Sequence, residues 1–355
     1  MNTKMFQYEN LSKYRSSLMG IQILLIMFFH FTEDCKNYGI RYSGIVYIFY
    51  NYVRSSGVDL FLLLSGLGLY YSWKKNSDKM HFYKKRFIRI SIPYLIVAVP
   101  MWFWLDLIHE KTGWFSYIKD LSFLSFFMEE KRWFWYILVS GICYLIFPYV
   151  YDVIESAEDA MAGKLRLLLL CTASTVMAIV FQLYYHDMFV NIDIAILRLP
   201  AFFIGVWIGK ASWEKKNIPW NIIWIQTGVA FLALVPGQMY DKKILGTYLL
   251  GLFNYCICRL VTGLFEKAEW SDNTLLRQIK MGVTKVLKWF GCHSIELYLI
   301  HVSIRKVLNQ TEHPTYRLKY EAIVILGAML LAPVLKKITN MIVSKSHCSQ
   351  VTCKQ

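Results

Sequence analysis

Ten stretches of this 355-residue chain are long and apolar enough to cross a bilayer. Hydrocarbon offers no partner to a free N–H or C=O, so a chain built this way can span lipid only as helices or as a closed barrel. Barrel strands would alternate apolar and polar residues over about ten positions, whereas these runs are continuously apolar over roughly the 17 to 25 residues that a helix needs. The expected spans are residues 18–32, 57–73, 87–108, 133–150, 165–185, 192–209, 218–236, 245–265, 286–307 and 322–343. Segment 45–53 extends the second span or lies at the interface, and 114–128 reads as an interfacial or re-entrant piece. Only 18% of residues are charged and 56% are hydrophobic, well away from a soluble domain. The expectation is an all-α polytopic membrane protein, about ten helices in one bundle, forming a single domain over residues 1–355.

An even span number puts both termini on one side, and Lys and Arg say which side. Seven basic residues fall between Lys74 and Arg89, after the second span; Lys210, Lys215 and Lys216 follow the sixth; Lys267, Arg277, Lys280, Lys285 and Lys288 lie between the eighth and ninth. These read as cytoplasmic loops, with both termini cytoplasmic and the chain in the plasma or inner membrane. Lys131, Arg132, Lys242, Lys243, Arg305 and Lys306 are exceptions. The formal charge of +15 is thus accounted for by loop orientation and membrane-lipid contact rather than by nucleic acid. Lys4, Lys13 and Arg15 ahead of an apolar run resemble a signal peptide, but no small-x-small site follows Phe31, so the first helix is expected to be retained. The eight cysteines show no CxxC spacing, and no metal-ligand pattern is present.

An ionisable side chain at membrane depth costs free energy unless it is paired or hydrated, which makes it a candidate for function. With the N-terminus inside, His30 lies near the outer end of the first span, His301 at a similar depth in the ninth, and Asp59 at the outer start of the second. Singly, a histidine near a helix end can be wetted by the interface, and Asp59 can be a helix cap. Together they form a layer in which an imidazole beside a carboxylate would be a competent base. At the opposite face Arg86 and Arg89 share one side of the third helix, which suits a phosphate-bearing ligand or plain positive-inside anchoring. Glu296 lies three residues after His293 and either pairs with it or meets a ligand. Asp193 and Arg198 open the sixth span. Trp133, Trp135 and Tyr136 are an interfacial aromatic belt or a sugar-stacking platform.

The order of motifs resembles acyltransferase family 3. Met19-Gly-Ile-Gln-Ile-Leu-Leu-Ile-Met-Phe-Phe-His30 is similar to the family's first helix, and Gly57-Val-Asp59-Leu-Phe-Leu-Leu-Leu-Ser65-Gly66 to its second. Arg86-x-x-Arg89 with Pro93 is similar to the stretch opening the third, Trp133-Phe-Trp-Tyr136 to the fourth, and Arg198 with Gly205 and Gly209 to the sixth. Ser294-Ile-Glu296-Leu-Tyr298-Leu-Ile-His301 is similar to the closing motif. The resemblance implies transfer of an acetyl or other acyl group from cytoplasmic acetyl-CoA (acyl-CoA) to a hydroxyl of a surface glycan or lipid-linked saccharide. It implies His30 as base, Asp59 as its orienting partner, and His301 or Tyr298 as donor to the thioester oxygen, by direct transfer or through an acyl-histidine. Arg86 and Arg89, with Lys85 beside them, would hold the CoA phosphates, and Ser65, Glu296, Tyr298, Arg198, Trp135 and Tyr136 would face the acceptor. One departure stands out: the family usually has Arg or Lys where this chain has Met19. Arg15, one turn nearer the cytoplasm, is the substitute on offer. No metal is implied. A transporter or flippase of a lipid-linked saccharide is the alternative, although no inverted repeat is visible.

Overall fold

The computed structural model describes residues 7–40, 43–157, 159–218, 224, 225, 228 and 243–352, and these form helices with one isolated antiparallel bridge, Gln7 to Asn217. In chain order the helices are α1 Tyr8–Lys13, α2 Arg15–Asn37, α3 Gly44–Lys75, α4 Lys79–Trp102 with its π-helical continuation Phe103–His109, α5 Trp114–Leu121, α6 Leu124–Met128 and α7 Trp135–Glu155. They continue with α8 Ala160–Tyr184, α9 His186–Ile196, α10 Leu199–Trp213, α11 Lys243–Glu269, α12 Thr274–Cys292, α13 Ser294–Gln310 and α14 Leu318–Thr352. Side chains supply several starts: Asp78 accepts from the His81 N–H, Asp159 from that of Ala162, and Asn273 from those of Leu275 and Leu276. The π-helical segment begins three residues after Pro100, where the missing N–H has already loosened the α-helical ladder.

Seven helical stretches among the described residues are long and apolar enough to cross a membrane: Arg15–Asn37, Lys79–His109, Trp135–Glu155, Met161–Tyr184, His186–Trp213, Ile244–Glu269 and Leu318–Val343. The three remaining expected spans fare differently. Span 57–73 is part of the single 32-residue helix α3, into which 45–53 also runs, and α3 is not among the seven. Span 218–236 lies almost wholly outside the described residues. Span 286–307 is two helices, because His293 leaves helical geometry (φ −108°, ψ 14°) and its N–H is shared between the Trp289 and Phe290 carbonyls at 3.2 Å each. Segment 114–128 forms the short helices α5 and α6.

Glycine fixes the two most extensive packings, α3 on α10 and α2 on α12. A Cβ at Gly205 would fall 2.1 Å from the Leu63 carbonyl oxygen, and one at Gly66 2.6 Å from that of Phe202. At the second crossing a Cβ at Gly20 would fall 1.9 Å from the Leu287 oxygen, and one at Gly291 1.8 Å from that of Ser16. Backbones this close need small residues at the contact, so Gly66 and Gly205 of the sequence motifs serve packing. One apolar core runs through α2, α3, α4, α7, α10 and α13. Helix α7 buries 56% of its apolar window and α8 only 11%, which makes α8 the peripheral helix with leucines turned outward.

Candidate active site

Helices α2 and α13 lie side by side, pointing the same way and in register. His30 Nδ1 is 2.8 Å from His301 Nε2. Four residues further along each helix, Arg305 grips Asp34 through two bonds of 2.5 Å and reaches Glu33 at 2.8 Å. Asp34 also accepts from Asn309 and from the Thr315 hydroxyl, so this buried carboxylate is fully engaged. The ion pair thus holds the register that brings the two imidazoles together.

The backbone dictates the proton positions in that pair. His301 Nδ1 is 2.8 Å from the Leu297 carbonyl oxygen. A carbonyl can only accept, so this nitrogen carries a proton and, in a neutral ring, Nε2 is the lone pair. His30 must then donate from Nδ1, which leaves its own Nε2 as a bare base. His30 lines a cleft of about 920 Å³, whereas His301 is 1% exposed and sits behind it.

Tyr298, one turn before His301, is buried and lines the same cleft; its ring is 5.9 Å from that of His301 and 5.6 Å from that of Tyr136. Trp133 and Trp135 both line the cleft because Phe134 between them is left-handed (φ 57°), an unusual backbone for an aromatic residue, held by burial against Tyr94. The Arg198 guanidinium lies over Trp135 at 5.3 Å.

Asp59 corrects an expectation. It is buried at this level, but its ionic partner is Arg198, at 3.7 Å, and no hydrogen bond joins it to His30 among the described residues. Its side chain on α3 lies against Gly251 of α11 and Arg198 at the start of α10. The side chain that meets His30 is His301. Glu296 is buried without bonding to His293, whose Nδ1 meets the Trp289 carbonyl at 2.8 Å instead. Glu296, Ser65 and Tyr136 do not line the cleft; Tyr136 instead meets the ring of Tyr298, which does.

At the other end of α2 the Arg15 guanidinium packs on Gly68 of α3, where a Cβ would fall 2.3 Å from it, and Arg86 and Arg89 are its charged neighbours. None of the three has an ion pair or a hydrogen-bonding side chain among the described residues, and the Nε atoms of Arg15 and Arg86 are buried without a partner. Lys85 is exposed. The Arg15 charge is felt at Tyr136, and from there ring contacts run through Tyr298 to His301.

The sequence reading passed over Asp34 and took Arg305 and Lys131 for exceptions in loops. The signal was present: His30 with Asp34 and His301 with Arg305 repeat one four-residue spacing on two helices. Lys131 pairs with Asp120 at 2.9 Å and Arg132 with Glu130 and Asp193 at 3.0 Å. Beyond the membrane-spanning segments, the hydrogen bond from Lys119 holds the Glu129 carboxyl below its ordinary range; burial opposes the charge on Lys131, but Asp120 and Glu129 prevail and raise it.

The family model described as an acyltransferase domain matches residues 18–336, a stretch containing every site residue above except Arg15. No curated protein and no solved structure matches the chain. Motif order, helical membrane architecture and this match lead to one assignment: the chain belongs to acyltransferase family 3.

Proposed function

We propose that this membrane acyltransferase moves an acetyl or other acyl group from cytoplasmic acyl-CoA to a hydroxyl of an extracytoplasmic glycan or lipid-linked saccharide, in the plasma or inner membrane with both termini cytoplasmic. The observation that carries the proposal is the His30–His301 pair, whose hydrogen bonds leave His30 Nε2 free at the wall of the cleft. A sugar hydroxyl is too weak an acid to attack a thioester unaided near neutral pH, so a base must take its proton as the bond forms. His30 Nε2 takes that proton, the hydroxyl oxygen bonds to the thioester carbon, and the carbonyl oxygen gains charge. The Tyr298 hydroxyl, carried by a ring 5.9 Å from that of His301 at the wall of the cleft, stabilises that charge. The C–S bond then breaks, and the CoA thiolate recovers the proton from His30. At the far end Arg15, Arg86 and Arg89 supply positive charge without internal partners, which suits the phosphates of CoA.

The test is release of free CoA by purified protein in vesicles given acetyl-CoA and a glycan. His30→Ala is expected to abolish release while its melting temperature stays near that of the parent protein. Undiminished turnover in that variant would remove His30 from the chemistry.

A further inference from the structure

We infer that the acceptor carries a negative charge, recognised by Lys306 at the wall of the cleft; this rests on the acyl-transfer reading above and names its substrate class. The cleft's own charges point there. Each of the four acids lining it is taken by an arginine: Glu33 and Asp34 by Arg305 at 2.8 and 2.5 Å, Glu130 and Asp193 by Arg132 at 3.0 Å. Among the lining cations Lys131 is held by Asp120 and Arg198 faces Asp59.

Lys306 is the one lining cation among the described residues without an acid in ion-pair distance. Its ammonium, half-buried, lies over the Trp133 ring at 5.0 Å. A ring face attracts a cation but does not neutralise it, and a half-buried ammonium without an anion is costly. Three acids act on it from further away and none comes within ion-pair distance: Glu110, Asp106, and Asp120, which is held by Lys131. Lys306 lies five residues beyond His301 on α13, about 7.5 Å along the axis. An acceptor offering a hydroxyl to His30 would therefore bring an adjoining part within reach of that ammonium. The shared chemistry is an anionic oxygen group, whether the carboxylate of an acidic sugar or the phosphate of a lipid carrier.

Binding separates these possibilities without turnover. Wild-type protein in phosphatidylcholine vesicles, with no acyl donor, is titrated with three probes: a glucuronate-containing tetrasaccharide, its carboxyl-reduced counterpart, and a neutral sugar on a polyprenyl phosphate. One or both anionic probes are expected to bind about tenfold tighter than the reduced one, the scale of a single charge-assisted hydrogen bond, and added salt should erase the difference. Lys306→Gln should lose the preference and Lys306→Arg keep it. The first probe alone binding tightly identifies an acidic sugar, the third alone a lipid-carrier phosphate. Equal binding of all three, or a preference that survives Lys306→Gln, overturns the inference. If the preference holds but no CoA is ever released, acyl transfer is what fails, and the charge assignment stands apart from it.

Discussion

An imidazole accepts a proton only at a nitrogen that does not already carry one, and at His30 the Leu297 carbonyl, acting through His301, decides which nitrogen that is. His301 touches His30 and is shielded from the cleft, so on the proposed reading it orients that base. His301→Ala is expected to lower kcat by about a hundredfold or more, within the range that a positioned base supplies. KM for acyl-CoA should stay nearly constant, because the arginines lie at the other end of α2. His301→Gln can still accept from His30 Nδ1–H through its amide oxygen and should recover part of kcat, whereas His301→Leu should not. Steady-state kinetics with acyl-CoA varied tests the split; equal kcat in the Gln and Leu variants would reduce His301 to packing. Both histidines were legible because ionisable groups stand out in apolar runs. The partner of Asp59 was not: sequence gives the depth of a residue along a helix, while its direction around the axis is set here by how α3 meets α10 and α11.

Between elements, the Asp34–Arg305 pair ties α2 to α13 one turn beyond the histidines, with side chains only 4% and 7% exposed. Removing one partner strands a buried charge at a cost of about 3–5 kcal/mol, while replacing both with apolar residues of similar size is far milder. Asp34→Leu and Arg305→Met should therefore each destabilise strongly, and the double variant should melt above either single one. Thermal unfolding in detergent checks this, and a double variant that falls below both singles would show that the pair is not acting as a unit. Activity should remain low in the double variant, since the register that sets the 2.8 Å histidine contact is no longer fixed. The sequence concealed this clamp because a basic residue near a span is read first as an orientation signal, and Arg305, Lys131 and Arg132 are instead consumed by internal acids. It likewise ran α12 and α13 together into one span, since hydropathy does not register the single break at His293. Helices α7, α8 and α14, apolar and uninterrupted by a helix boundary, were legible as spans, although α7 runs on to Glu155, α8 starts at Ala160 and α14 continues to Thr352, where polar residues extend each helix past its apolar stretch.

Across the whole molecule, α2 connects two charged regions: Arg15 opens it and His30 lies fifteen residues on, about 22 Å along the axis. On the proposed reading, a donor phosphate at one end and an acceptor hydroxyl at the other react only if the thioester reaches between the helices, so the two ends would bind separately and meet only through the acyl-bearing arm. The residues along the way, Tyr136 and Tyr298, contact each other and span α7 and α13. Binding at the two ends should therefore respond to different substitutions. Arg15→Ala is expected to weaken acyl-CoA binding about tenfold or more, as is Arg86→Ala, the effect of losing one charge-assisted hydrogen bond to phosphate. Acceptor binding should be unchanged in both. Arg15 is the sharper test, because it lies ahead of the family match and is offered only as a substitute for the cation that Met19 replaces, while Gly68 makes room for its guanidinium near Arg86 and Arg89. Titration of the purified variants with a non-hydrolysable acyl-CoA decides the point. Unaltered affinity in Arg15→Ala would mean that this cation only screens α3, and that the Met19 departure left the donor site with two arginines rather than three.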